Sequence, residues 1–365
     1  MPKVCHIDIQ ERTHIMRPYR EAAAAAGAGM EAVVICQGAS ALEDGIEYIG
    51  FPKAKNRFDR FFFRSRKMVK AALETNADII QLHAPEYLLY ALKLKRTGRK
   101  VLFDSHEDYP AQIREKGYIP APVRNAVSGI YAAFEGYVCK RIDGVIYPCT
   151  FGGKNIFEGR AKRTLKIENY SKVVPSFSPA EEKKRQVIYA GTLSAGRGVT
   201  QLARAIMKTD GELLLCGPFA AESYREELLG SFPASKVKYM GNLGREELFE
   251  LYAVCMIGAS VLLPVGEYPN VDNLNTKVYE FMQCGLPAVT SDFSYAREVN
   301  SRRHFGICVD PENVDEIANA IQYLFDHPGE ARQMGENGRR AVEEEFNWAH
   351  EEKKLLAFYE ELLKE

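Results

Sequence analysis

An α/β protein with two domains, each a doubly wound parallel sheet, is what this sequence predicts. Three observations carry that reading. At 365 residues the chain suits two hydrophobic cores better than one. Short apolar runs alternate with amphipathic helical patterns along most of its length. The alternation occurs twice, and a break near residues 174–185 separates the two series: Pro175, Ser176, Ser178 and Pro179 precede a charged run there.

In the first half the apolar runs at 4–9, 32–35, 79–82, 101–104, 144–147 and 165–167 read as strands. Helical periodicity occupies 18–27, 58–74, 87–94 and 123–140. The second half places strands at 187–190, 212–216, 237–240, 259–263, 288–290 and 306–309, with helices that include 199–207, 246–252 and 314–325. Residues 347–365 form a further helix pattern containing Trp348, Leu355, Leu356, Phe358, Tyr359, Leu362 and Leu363. The expected domains are 1–173 and 174–346, followed by the helix at 347–365. The halves repeat as architecture and not as sequence; no short-period repeat or long low-complexity tract is present.

Composition narrows the class. The apolar fraction of 46% and charged fraction of 27% are those of a globular protein. A net charge of −1 argues against a general nucleic-acid binder, since nothing global attracts a polyanion. The eight cysteines include no Cys-x-x-Cys, have no histidine cluster beside them and lie mostly in apolar patterns. They read as buried and reduced, not as a disulfide framework or zinc site. Met1-Pro2-Lys3 does not open a signal peptide, and no apolar run has the length of a membrane span, so a cytoplasmic protein is expected.

The most informative segment follows the apolar run at 259–263. A polar loop leads to a helix that begins near Thr276 and stops at Gly285-Leu286-Pro287. The loop thus lies at the carboxyl end of a strand and opens a helix, where free amides and the helix dipole favour phosphate. The first turns of that helix add a cation, Lys277, and a carboxylate, Glu280. A cation suits a diphosphate, and a carboxylate one turn away can take two ribose hydroxyls.

This segment resembles the donor-binding motif of family 4 of the retaining GT-B glycosyltransferases, in which seven residues separate two acids, here Asp272 and Glu280. The resemblance implies a GT-B fold: two Rossmann-like domains facing a central cleft, with the terminal helix crossing back to the first domain. It implies that Glu280 binds the donor ribose. The family's first acid, usually Glu, touches the transferred sugar, and its place is taken by Asp272, one methylene shorter. Asp272, Asn273 and Asn275 would read donor-sugar hydroxyls, with Thr276 opening the helix. A second donor segment is Val187-Ile188-Tyr189-Ala190-Gly191-Thr192-Leu193-Ser194-Ala195-Gly196-Arg197-Gly198, a strand, a glycine turn and a helix start. Many family members carry two cations here; this chain has Thr192 at the first position and keeps Arg197 at the second. The diphosphate charge would then fall to Arg197, Lys277 and helix amides.

In the first half, Phe103-Asp104-Ser105-His106-Glu107-Asp108-Tyr109-Pro110 resembles the Asp-x-His-Glu-Asp-Tyr-Pro signature of a subset of the family. The resemblance sets His106 against the transferred sugar, and Glu107 either on an acceptor hydroxyl or orienting His106. His83, which also ends a strand, is either on the acceptor side or structural. His6, His14, Arg17 and Arg20 gather near the first strand end and the helix after it. Adjacent ligands such as His106, Glu107 and Asp108 hold one metal poorly, and no Asp-x-Asp occurs, so no metal or other cofactor is expected. Residues 53–70 carry Lys53, Lys55, Arg57, Arg60, Arg64, Arg66, Lys67 and Lys70, interleaved with Phe58, Phe61, Phe62, Phe63, Met68 and Val69. Phe58, Phe62 and Val69 can share one helix face. Two readings stay open: a peripheral contact with an anionic membrane or lipid-linked phosphate, placing the protein at the inner face of the cytoplasmic membrane, or a core-packing helix with a solvated basic face.

The expected activity is transfer of a sugar from a nucleotide diphosphate sugar, with retention, to a glycan or lipid-linked acceptor. A UDP-sugar is favoured, with a GDP-sugar as the alternative. His106, Arg197, Lys277 and Glu280 form the expected catalytic set, and nucleic acid has no part in it. A nucleotide-sugar 2-epimerase of the same architecture, or an inactive binding subunit, are the competing readings.

Overall fold

Eight strands form the first sheet: β1 (Lys3–Glu11), β2 (Glu31–Gln37), β3 (Ala41–Glu43), β4 (Ile46–Phe51), β5 (Ile79–Leu82), β6 (Lys100–Asp104), β7 (Gly144–Tyr147) and β8 (Thr164–Lys166). Their order is β3-β4-β2-β1-β5-β6-β7-β8, parallel except for the β3–β4 pair. Six more form a second sheet: β9 (Lys184–Ala190), β10 (Glu212–Cys216), β11 (Val237–Gly241), β12 (Cys255–Ser260), β13 (Ala288–Ser291) and β14 (Gly306–Val309). Its order is β11-β10-β9-β12-β13-β14, parallel throughout. Both sheets are doubly wound, and each reverses strand order once, between β1 and β5 in the first and between β9 and β12 in the second. Ligands of open α/β sheets bind outside the strand ends at such switch points.

This computed structural model describes residues 1–115, 119–174, 177, 180 and 182–365. Pro175, Ser176, Ser178 and Pro179, read above as part of the break, lie outside the described residues. The chain forms two units: Met1–Thr150, Lys154–Asn169 and Ala349–Glu365 make the first, and Phe151–Gly153 with Tyr170–Trp348 make the second.

Each unit has its own core. In the first, Cys5, Ile7, Ile80, Leu82, Val101, Phe103 and Val145 join side chains from the helices Ser65–Glu74, Leu88–Lys95 and Ala121–Cys139. In the second, alternate residues of one strand serve opposite faces: Val187 and Tyr189 enter one cluster, Ile188 and Ala190 another. That is the strand side-chain period of two in a sheet covered on both sides. The terminal helix Trp348–Lys364 runs mostly with the first unit. Leu355, Tyr359 and Leu362 are buried there, and Tyr359 donates its hydroxyl to Gln81 Oε1 at 2.6 Å.

Three local expectations change. β3 and β4 were not read from the sequence, yet Asp44-Gly45 between them takes two positive φ values, 51° and 75°, which is the turn chemistry of a two-residue hairpin. β12 begins at Cys255 and ends at Ser260, earlier than the expected 259–263. Gly258 lies inside it because a Cβ there would sit 2.2 Å from the Phe281 ring. The expected helix at 58–74 begins with a π-helical stretch, Asp59–Arg64. One extra residue per turn re-phases the helix. Phe58, Phe62 and Val69 therefore do not share a face: Val69 is buried while Phe58 and Phe62 are 63% and 51% exposed.

Candidate donor site

The loop after β9 and the loop after β12 flank the switch point of the second sheet, and a pocket of about 570 Å³ opens there. Gly191, Thr192 and Arg197 line it from the first loop. Asn273, Asn275, Thr276, Lys277 and Glu280 line it from the second loop and the helix Thr276–Gln283. Asn275 caps that helix, its side chain accepting the Lys277 N–H. Tyr279 braces the loop, donating its hydroxyl to Asn273 Oδ1 at 2.6 Å.

The glycines give the site its shape. Gly191 has φ 127°, and a Cβ on it would lie 3.3 Å from Lys277 Nζ and 3.8 Å from an Arg197 guanidinium nitrogen. Both cations thus converge on this one turn. The Gly191 N–H donates to the Cys216 carbonyl, so Gly191 contributes room and not an amide. Gly198, with φ 69°, passes so close to Val261 that a Cβ would fall 1.8 Å from its carbonyl oxygen. That contact seats the Arg197 turn against the end of β12.

Lys277 is buried, its ammonium lies 4.0 Å from the Tyr189 ring centroid, and it has no hydrogen-bond partner. Burial, with Arg197 nearby, pushes its pKa down to about 7. Glu280 one turn away opposes that fall, but no acceptor hydrogen-bonds the ammonium, so a buried group beside a second cation is left open to an anionic ligand. One turn on, Glu280 Oε2 accepts the Tyr252 hydroxyl at 3.2 Å. Burial raises the Glu280 carboxyl, while Tyr252, Arg245 and Lys277 oppose the rise. Tyr252 escaped the sequence reading: a tyrosine in an amphipathic helix pattern gives no sign of its partner.

Asp272 is placed differently from its neighbours. It does not line the pocket, and its carboxylate accepts the Gly153 N–H at 2.6 Å. Phe151 bridges to Val271, and Gly152 N–H reaches the Asn270 carbonyl. Residues 151–153 therefore bind the donor loop just ahead of Asn273.

The first-unit candidates stand at the ends of adjacent strands. His106 follows β6 and is partly exposed; Glu107 beside it is exposed. His83 follows β5 and is buried, in contact with His106. Around them lies a charged network of which the sequence showed only parts: Arg17 Nε donates to both oxygens of the buried Asp104, and Gln81 bridges Glu21 and Asp104. Its sequence signals were Asp104 at the end of one strand and His6 and Arg17 near the end of another. His14 is exposed and lines a second pocket of about 380 Å³ with Lys53, Arg57 and Arg60.

Two doubly wound sheets, with a pocket lined by Arg197 and Lys277 at the switch point of the second, define a class of two-unit α/β proteins. Two family descriptions match the chain: Glycosyl transferases group 1 over residues 174–341 and Glycosyltransferase Family 4 over residues 18–162. The chain belongs to glycosyltransferase family 4, a retaining family. Among curated relatives, the MMP alpha-(1->4)-mannosyltransferase of Mycolicibacterium hassiacum is 29% identical over 198 residues, 51% of this chain and 46% of that protein. The GDP-mannose-dependent monoacylated alpha-(1-6)-phosphatidylinositol monomannoside mannosyltransferase of Corynebacterium glutamicum is 27% identical over 141 residues, 39% of this chain and 36% of that protein. The match thus spans about half or less of these relatives. Among solved structures, the sucrose-phosphate synthase from Thermosynechococcus elongatus superposes with a TM-score of 0.76 at 17% identity, covering 100% of both chains. Anabaena HepE, solved with UDP and glucose, superposes with a TM-score of 0.74 at 16% identity, covering 99% of this chain and 100% of that one. These likenesses establish the GT-B fold.

Proposed function

We propose that this protein transfers a sugar from a nucleotide diphosphate sugar to a glycan or lipid-linked acceptor, with retention. The observation that carries the reading is Lys277: a buried, unpartnered ammonium converging with Arg197 on the Gly191 turn. Lys277, Arg197 and the positive end of the Thr276–Gln283 helix dipole take the charge that grows on the departing diphosphate. Glu280, held by Tyr252, anchors the ribose through its hydroxyls. Asn273 and Asn275 face the same pocket and read the donor sugar. Asp272 acts on that sugar indirectly, by holding the loop through Gly153. His106 contacts the transferred sugar. The reaction is a front-face displacement: the acceptor oxygen bonds to the anomeric carbon on the face the diphosphate leaves, and the departing phosphate oxygen takes the acceptor proton.

A UDP-sugar is the favoured donor and a GDP-sugar the alternative, since Anabaena HepE was solved with UDP and the C. glutamicum relative is named GDP-mannose-dependent. Proton NMR of the purified protein with UDP-, GDP- and ADP-sugars, without acceptor, tests the reading. Slow release of nucleotide from one donor supports a transferase and identifies that donor. A new nucleotide-sugar anomeric signal would make it an epimerase, and tight binding without turnover a binding subunit.

The acceptor side includes a membrane contact through residues 53–70. Phe58, Phe61, Phe62 and Phe63 are 38–63% exposed, and the Phe58 and Phe62 rings lie 4.9 Å apart, tilted by 44°. Lys53, Lys55, Arg57, Arg66, Lys67 and Lys70 are exposed around them. Aromatic groups amid cations suit an anionic lipid surface. Among the described residues no helix is long and apolar enough to cross a membrane.

A further inference from the structure

Three imidazoles run in series at the switch point of the first sheet, and only the last reaches the surface. His6 and His83 are buried, while the His106 side chain is 23% exposed. His6 Nδ1 lies 3.0 Å from His83 Nε2, and His83 Nδ1 lies 3.2 Å from His106 Nε2. Asp104 Oδ2 lies 3.3 Å from that same His83 Nδ1. Burial alone would raise the Asp104 carboxyl, but the Arg17 guanidinium and the His83 hydrogen bond outweigh it and hold it well below the usual carboxylate range.

An ionised carboxylate has no proton to give. His83 Nδ1 must therefore carry one, or two lone pairs would face each other at 3.3 Å. The His106 Nε2 facing the same N–H is then bare. A neutral imidazole with a bare Nε2 keeps its proton on Nδ1. We propose that His83, backed by Asp104 and Arg17, sets the tautomer of His106 so that it presents an Nδ1–H donor to a sugar hydroxyl oxygen. His83 is a positioning residue in this arrangement. His6 Nδ1 meets His83 Nε2 on the far side of the ring, and His6 Nε2 is buried without a hydrogen-bond partner.

The uncharged state of His106 is consistent with its surroundings. Burial drives its imidazole down to about 3, with Asp104 opposing and with His83 and Arg17 adding to the fall. A neutral donor suits a hydroxyl, whereas an imidazolium would be drawn to the diphosphate. The same side chains form two groups with metal-ligand spacing, His6–Glu21–His83 and His83–Asp104–His106. The Arg17 guanidinium stands against a cation there: its Nε lies 2.8 Å from Asp104 Oδ2 and 3.4 Å from Glu21 Oε1.

The inference rests on the proposed transferase reading only for the ligand that His106 meets; the tautomer is measurable without turnover. Long-range proton–nitrogen correlation spectra of the uniformly ¹⁵N-labelled protein report all seven histidines at pH 7, and His106→Asn assigns the His106 signals. The expected pattern is a protonated Nδ1 and a bare Nε2. A protonated Nε2 on His106 in the unsubstituted protein would overturn the proposal, as would one equivalent of tightly bound zinc. In His83→Phe the His106 signals should move towards the Nε2–H form. His83→Asn keeps an amide N–H near the Nδ1 position and should preserve the original pattern. With the donor identified, kcat/KM should fall on the order of tenfold in His83→Phe and largely recover in His83→Asn. Equal losses in both variants would assign His83 a merely structural role and overturn the inference. A protein without transfer but with the expected tautomer would sink the functional reading and leave this one standing.

Discussion

Lys277 holds its ammonium over an aromatic ring, and burial pushes its pKa down to about 7, so its charge is sensitive to pH near neutrality. A diphosphate favours the charged form, and binding above pH 7 therefore requires proton uptake. Donor affinity should be highest below pH 7 and weaken as pH rises through 8, by up to about tenfold per unit. Calorimetry at pH 8 in buffers of different ionisation enthalpy should record that uptake. A flat affinity from pH 6.5 to 8.5 would count against the assignment, and Lys277→Met should flatten the profile. Glu280 answers to a different probe. Glu280→Ala should weaken donor binding by about tenfold to a hundredfold, the range for a hydrogen bond to a charged group. It should matter far less for a donor lacking the ribose hydroxyls, and equal losses for both donors would separate Glu280 from the ribose. Arg197→Ala should mainly lower turnover.

Among elements, the helix Thr276–Gln283 is held by close contacts on two sides. Phe281 covers Gly258 of β12, and Gly335 of the helix Pro328–Glu344 lies so near Gly285 that a Cβ would meet its carbonyl oxygen at 2.1 Å. Gly258→Ala should therefore cost about 1–3 kcal/mol by overpacking, measured by urea unfolding, and should weaken donor binding by displacing the helix that carries Lys277 and Glu280. Unchanged stability would mean that Phe281 has free space to move. The π-helical stretch Asp59–Arg64 has the opposite character, since its phenylalanines find no core. Replacing Phe58, Phe62 and Phe63 together by Ser should leave stability nearly unchanged and abolish flotation with anionic vesicles. Retained flotation would leave the basic side chains as the whole of the contact.

At the scale of the molecule, the chain leaves the first unit, forms the second and returns in its last helix. Gly144 of β7 makes that return possible: a Cβ there would lie 2.8 Å from the Phe358 ring. Glu351 accepts the Glu168 N–H at 2.9 Å, and Leu355 and Leu362 are fully buried. Leu355→Ala and Leu362→Ala should each destabilise the first unit by about 2–5 kcal/mol. Trp348, the only tryptophan, belongs to the second unit, so its fluorescence follows that unit while circular dichroism in urea follows both. A urea midpoint that does not move would show that the helix contributes little to the unit it joins.

Periodicity and turn chemistry are local, and what depends on them was readable from the sequence. The alternation of apolar runs and amphipathic stretches determined the doubly wound sheets. The loop-to-helix step at Asn275, with Lys277 and Glu280 following, pointed to the place where a pocket opens and where phosphate and ribose are proposed to bind. Asp44-Gly45 marked a hairpin that simple apolar counting passed over. Properties that arise between distant residues were not readable. That Lys277 and Arg197 meet over Gly191, that Tyr252 holds Glu280, and that Gly153 occupies Asp272 are contacts across 28 to 119 residues of chain, and no periodicity encodes them. The histidine series is the plainest case, because His6, His83 and His106 meet only when β1, β5 and β6 lie side by side. Residue type and spacing announce which chemistry is available; the tertiary structure, by burying those groups against one another, decides their charge and their partners.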